Sequence, residues 1–104
     1  MIKHVVMWKL KDISEGKTKE ENAETMKKLL EDLPSKIDEL QSAEVGINIL
    51  DRDDDAVCDL VLTVQCETKE DLQAYAKHPD HQKVVQFAKK IVTERRVVDY
   101  ISDQ

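Results

Sequence analysis

Tyr75-Ala-Lys-His-Pro-Asp-His81 gathers two of the chain's three histidines, one of its two tyrosines and a proline into seven residues. Imidazole takes up and releases a proton near neutral pH, and a phenol hydroxyl can hold or polarise a substrate oxygen. Closer to the C-terminus, Val97-Val-Asp-Tyr100 places Asp99 inside an apolar segment, where an unpaired carboxylate is unfavourable. A carboxylate bonded to one imidazole nitrogen fixes the tautomer and leaves the other nitrogen free to move a proton. The expected couple is Asp99 with His81, which stands three and four residues before Val84 and Val85 and so should face the sheet. Tyr75 falls on the inward side of the preceding helix, and His4, alternating with Val6 and Trp8, would line the same cavity. These residues also admit a purely structural account. His78-Pro79 can serve as a capping device at a helix break, Asp99 can tie His81 to the last strand, and a buried Tyr75 hydroxyl needs a partner with or without catalysis. His78 and His81 with Asp80 have a chelating spacing, yet no further ligand stands at a known spacing, so no metal and no cofactor is expected. No Ser-His or Cys-His nucleophile pattern or dinucleotide fingerprint is present, and two glycines are too few for a phosphate-cradling loop.

The elements that must position these groups follow from periodicity. Residues 2–10 alternate as a strand that is apolar on both faces, as in a strand covered on both sides. Thr18-Lys-Glu-Glu21 has capping-box spacing and predicts a helix whose inward stripe is Ala23, Met26, Leu29, Leu30 and Leu33, ended by Pro34. A second strand carries Ala43, Val45, Ile47 and Ile49. The acidic run Asp51-Arg-Asp-Asp-Asp55 reads as a solvated hairpin connection rather than a calcium loop. Residues 56–66 form a third strand, with Leu60, Leu62, Val64 and Cys66 on one face. Thr68 caps a short helix through Tyr75. His78-Pro79 interrupts it, and a further helix runs to about Ile91, with Val84, Val85, Ala88, Ile91 and Val92 inward. Val97–Ile101 is the last strand. The order β-α-β-β-α-β is the ferredoxin-like split unit, an α+β fold with a four-stranded antiparallel sheet. One helix layer covers only one sheet face. Val57, Val61, Val97 and Ile101 add apolar groups beyond it, so a second copy of the chain is the simplest cover for the other face.

With 104 residues the chain makes one domain, 1–104, and its formal charge of −6 with no segregated basic stripe argues against nucleic acid as a partner. No apolar run approaches the roughly 20 residues that span a bilayer, so no membrane partner is expected. The N-terminus does not read as a signal peptide, giving a cytoplasmic expectation. Cys58 and Cys66, about 26 Å apart on one extended strand, cannot bridge each other there.

Met-Ile-Lys-His-Val-Val-Met-Trp-Lys-Leu-Lys-Asp at the start, Leu33-Pro34, Val45-Gly46, Tyr75-x-x-His78-Pro79-x-His81 and Val98-Asp99-Tyr100 together resemble the stress-responsive A/B barrel (Dabb) family over nearly the whole chain. The resemblance implies a ferredoxin-like fold forming a dimeric α/β barrel, a homodimer, and no single activity. One plant member is a polyketide cyclase using a tyrosine and a histidine backed by an aspartate. Carried over, these match Tyr75, His81 and Asp99, with His4 matching a pocket histidine. Met26 and Leu60 stand where that cyclase has a pocket tyrosine and a pocket histidine, which implies a more apolar cavity here. The expected function is therefore a homodimer with a pocket for a small apolar or aromatic molecule, lined by His4, Val6, Trp8, Met26, Leu60 and His78. The alternative is a cyclase, isomerase or lyase in which His81 is the general base, Asp99 orients it and Tyr75 stabilises an oxyanion.

Overall fold

A computed structural model describes residues 1–103. Strands β1 (Ile2–Leu10), β4 (Ser42–Ile47), β5 (Leu60–Cys66) and β6 (Val92–Ile101) form one antiparallel sheet in the order β4-β5-β1-β6. Helices α1 (Lys19–Glu31), α2 (Lys69–Lys77) and α3 (Pro79–Ile91) cross one face, and a two-residue-strand hairpin, β2 (Ile13–Ser14) and β3 (Lys17–Thr18), precedes α1. The four-stranded sheet is open and does not close into a barrel within one chain.

The local signals act as physics requires. Thr18 accepts a hydrogen bond from the Glu21 N–H while the Glu21 carboxylate accepts from the Thr18 N–H, so two orphan donors at the start of α1 are satisfied. Ala23, Met26, Leu30 and Leu33 are buried, but Leu29 turns outward. Hairpin β2–β3, which periodicity misses in so polar a stretch, turns through Glu15 and Gly16, both with positive φ, as a right-twisted two-residue connection demands. The last strand begins at Val92, five residues before the expected Val97. There the register between β1 and β6 shifts after Lys9, so that Thr93 is an extra residue and both Val92 and Arg95 fall on the helix side.

Antiparallel partners share a face, so registry assigns the sides of the sheet. Val6 opposes both Leu62 and Val97, and Trp8 opposes both Leu60 and Arg95, placing all of these toward the helices. Val97 and Ile101 thus belong to the helix side rather than the uncovered one. They are exposed because the helix layer stops short of edge strand β6. Val57 lies in the connection before β5. Val61 does lie on the open face, with Val5, Met7, Val98 and Tyr100. At the opposite edge, Val45 turns its N–H and C=O away from the sheet. The Glu31 carboxylate accepts from that N–H at 3.0 Å and the Lys27 ammonium donates to that carbonyl at 2.6 Å. This clamp from α1 blunts β4 as a docking edge.

Candidate functional site

The break between α2 and α3 builds the centre of the site. In an unbroken helix the Ala76 carbonyl would accept from the Asp80 N–H four residues on. Pro79 supplies no N–H, His78 is extended (ψ 136°), and the Asp80 N–H donates instead to His78 Nδ1 at 3.1 Å. The freed Ala76 carbonyl takes up two side chains of the next helix, His81 through Nδ1–H at 3.0 Å and Gln82 through its amide at 2.6 Å. His81 is thereby laid against Tyr75, their ring centroids 4.3 Å apart. With Nδ1 committed as donor, Nε2 of His81 is the lone-pair nitrogen.

Tyr75 is 2% exposed and stands between two imidazoles, with the ring of His4 edge-on at 6.0 Å. Its hydroxyl has no hydrogen-bond partner among the described residues. Burial, reinforced by the nearby Cys66 thiol and opposed by Arg95, pushes the phenol pKa up, so it remains a neutral donor. Burial likewise draws the His81 pKa below its ordinary 6.5, against the Ala76 hydrogen bond and with help from the positive charge of His4, Arg95 and His78. The neutral imidazole is the resting form. Because the unfolded chain binds that proton more readily, stability from His81 is full above about pH 6.5 and declines as the pH falls through the lowered folded value.

The expected Asp99–His81 couple is not formed. Asp99 opposes His4 across the β1–β6 ladder, and its carboxylate lies 2.5 Å from His4 Nδ1. The registry of two adjacent strands decides this: it sets the two groups on one face as direct neighbours, whereas His81 is spoken for by a backbone carbonyl. An Asp99→Asn variant should therefore move the His81 titration only slightly, since His4 is a lesser cause of its shift than burial, while the downfield Nδ1–H resonance of His4 is lost. Both are read by imidazole-detected NMR over pH 5–8. A shift of the His81 curve comparable to the loss at His4 would restore the sequence-based pairing.

A cavity of about 480 Å³ opens between helices and sheet, lined from β1 by His4, Val6 and Trp8, from α1 by Met26 and Leu30, and from β5 by Leu62. Tyr75, His81, Val84, Val85, Ala88 and Lys89 close it from α2 and α3, and Val92 and Arg95 from β6. Four expected pocket residues are therefore in place, namely His4, Val6, Trp8 and Met26, together with Tyr75 and His81. Leu60 is not: it is packed in the core one registry position beyond, and Leu62 takes its place. His78 is the N-cap of α3 rather than a lining residue, and Asp99 reaches the cavity only through His4. Arg95 was not legible, because its orientation depends on the bulge at Thr93, and nothing in the pair Arg95-Arg96 says which faces inward. Among the described residues no three His, Cys, Asp or Glu side chains are placed to hold a metal ion, and both cysteines are free. No helix among them is long and apolar enough to cross a membrane.

The model of the stress responsive A/B barrel domain matches residues 2–102 of this chain. A dimeric protein of unknown function with a ferredoxin-like fold from Bacteroides fragilis superposes with a TM-score of 0.78 at 27% identity, over 95% of this chain and 93% of that one. An Arabidopsis thaliana protein gives 0.80 at 21% identity, over 100% and 97%. Hydroxynitrile lyase from Passiflora edulis gives 0.76 at 14% identity, over 99% and 94%, a likeness of fold. No curated protein matches the sequence significantly.

Proposed function

This chain belongs to the stress-responsive A/B barrel (Dabb) family, and from that premise we propose that it acts as a homodimer holding a small apolar or aromatic molecule between its helices and its sheet. The observation that carries the ligand reading is the cavity itself. Its floor is Val6, Trp8, Met26 and Leu62, all buried, and its polar groups are Tyr75, His4 and His81 at one place and Lys89 and Arg95 at the rim. Pockets of roughly 300–1,000 Å³ with apolar walls and a few placed polar groups are the usual form of a small-molecule site. The homodimer is supported by the apolar strip of Val5, Met7, Val61, Val98 and Tyr100 on the open face, and by the dimeric state described for the Bacteroides fragilis protein. A protein with two free cysteines suits the reducing cytoplasm.

Cavity filling tests the ligand reading. Indole or toluene at millimolar concentration should raise the melting temperature of the parent protein and shift NMR signals of Val84, Val85 and Ala88. Val84→Trp should abolish both effects while the fold is retained. Equal responses in parent and variant would place any binding elsewhere.

The second reading is proton transfer. It is favoured by one observation: His81 is neutral, held in a defined tautomer, and lies against the tilted ring of a tyrosine whose hydroxyl has no partner among the described residues. In such a cyclase, isomerase or lyase, Nε2 of His81 would take a proton from carbon next to a carbonyl. The Tyr75 hydroxyl would donate to the oxygen as charge develops on it. Asp99 would act as a positioning residue for His4.

A further inference from the structure

We propose that the molecule held in this cavity is an amphiphilic acid, with an aromatic or alkyl body on the Trp8 and Met26 floor and a single carboxylate at Arg95 and Lys89. The inference rests on the ligand reading above and adds the charge of the ligand. The chain has 22 acidic residues against 16 basic ones, yet none of the cavity-lining residues is Asp or Glu, while two are cations. Those two come from different elements, Lys89 from α3 and Arg95 from β6, and both are exposed, which marks them as the rim of an otherwise apolar hollow. Neither side chain has an ion pair or hydrogen bond among the described residues. Other surface cations such as Lys3, Lys28 and Lys69 are also outside any ion pair, so what sets Lys89 and Arg95 apart is their place on the cavity wall, where no carboxylate accompanies them.

Asp99, on the same sheet face as Arg95, is taken by His4, and Glu94 lies across from Lys9 on the open face. Those two carboxylates of β6 are thus committed, and the cations at the mouth are left for an incoming group. A guanidinium presents a planar fork that matches a carboxylate with two parallel hydrogen bonds. A body of apolar walls below that fork selects acids that carry hydrocarbon over small inorganic anions. A cationic ligand of the same shape would meet Arg95 and Lys89 at the rim and be rejected.

The test compares 4-butylbenzoate with its neutral isostere 4-butylbenzamide by calorimetric titration at pH 7 and low salt. The benzoate should bind about tenfold more tightly. Arg95→Gln should reduce that advantage and the double variant Arg95→Gln/Lys89→Gln should remove it, with benzamide affinity falling less than benzoate affinity in each. Raising the salt to 0.5 M should weaken benzoate alone, a measurement on the parent protein that stands even if the variant does not fold. Equal affinities for the two compounds, with no salt effect on either, would overturn the acid assignment while leaving the cavity as an apolar site. A carboxylate supplied to Arg95 by a second copy would produce that result. Binding of neither compound would overturn the ligand reading beneath it.

Discussion

Tyr75→Phe leaves the protein as stable as the parent or slightly more so, whereas Tyr75→Ala lowers its stability by about 3–5 kcal/mol. The two outcomes separate what the ring does from what the hydroxyl does. The ring is among the largest fully buried side chains in the core, and it packs edge-on to His4 and against His81. Its removal leaves a void beside a cavity already present, with little nearby to collapse into it. The hydroxyl makes no hydrogen bond among the described residues and opens on the cavity, so deleting it strands no partner. Denaturant titration of both variants checks this. A Phe variant destabilised by more than about 1 kcal/mol would mean the hydroxyl has a structural partner, and would remove the argument that it is held for a ligand. Ligand responses should run the other way, with Tyr75→Phe losing whatever response depends on hydrogen bonding to an oxygen.

Val5→Glu converts the protein to a monomer, weakening self-association on the order of a hundredfold. Val5 sits mid-strand on the open face, opposite Val98 on one side and Thr63 on the other, with Met7, Val61 and Tyr100 around it. In a face-to-face pairing of two sheets a carboxylate there would be stripped of water among Met7, Val61 and Val98. In the single chain the same position borders solvent, so the variant keeps its fold, and circular dichroism should be unchanged while sedimentation reports half the mass. A parent protein that sediments as a monomer at every concentration would dispose of the homodimer. A stable dimer in Val5→Glu would move the interface off this face.

Much of the fold was legible because its signals are local. Strand β1 shows in alternation, α1 in the reciprocal Thr18–Glu21 pattern, and the break at His78-Pro79 in the missing N–H of proline. Each depends on residues within a few positions of one another. Part of the cavity wall was legible for the same reason, since His4, Val6 and Trp8 share a strand face by parity and Met26 lies on a helical stripe, whereas Leu62 stands where Leu60 is expected. The hairpin at residues 13–18, the early start of β6 at Val92 and the outward turn of Leu29 were not. The first lies in a polar stretch without alternation. The other two are decided by what packs against them.

The partner of Asp99 was beyond the reach of such reasoning. Sequence spacing allows a carboxylate on the last strand to meet either His4 or His81, both of which can line one hollow. Strand registry brings Asp99 beside His4, and the carbonyl left free at Ala76 claims His81. Arg95 is the same kind of case: a bulge at Thr93, invisible in composition, turns it toward Trp8. By itself the sequence determined the order of the four sheet strands and the helices, the family, part of the apolar floor and the concentration of proton-carrying groups, because periodicity, capping and proline chemistry act over a few residues. Only the tertiary structure decided which acid meets which imidazole and which cation guards the mouth. Those pairings join residues up to 95 positions apart, and registry between strands, with the hydrogen bonds left over where a helix breaks, is what brings them together.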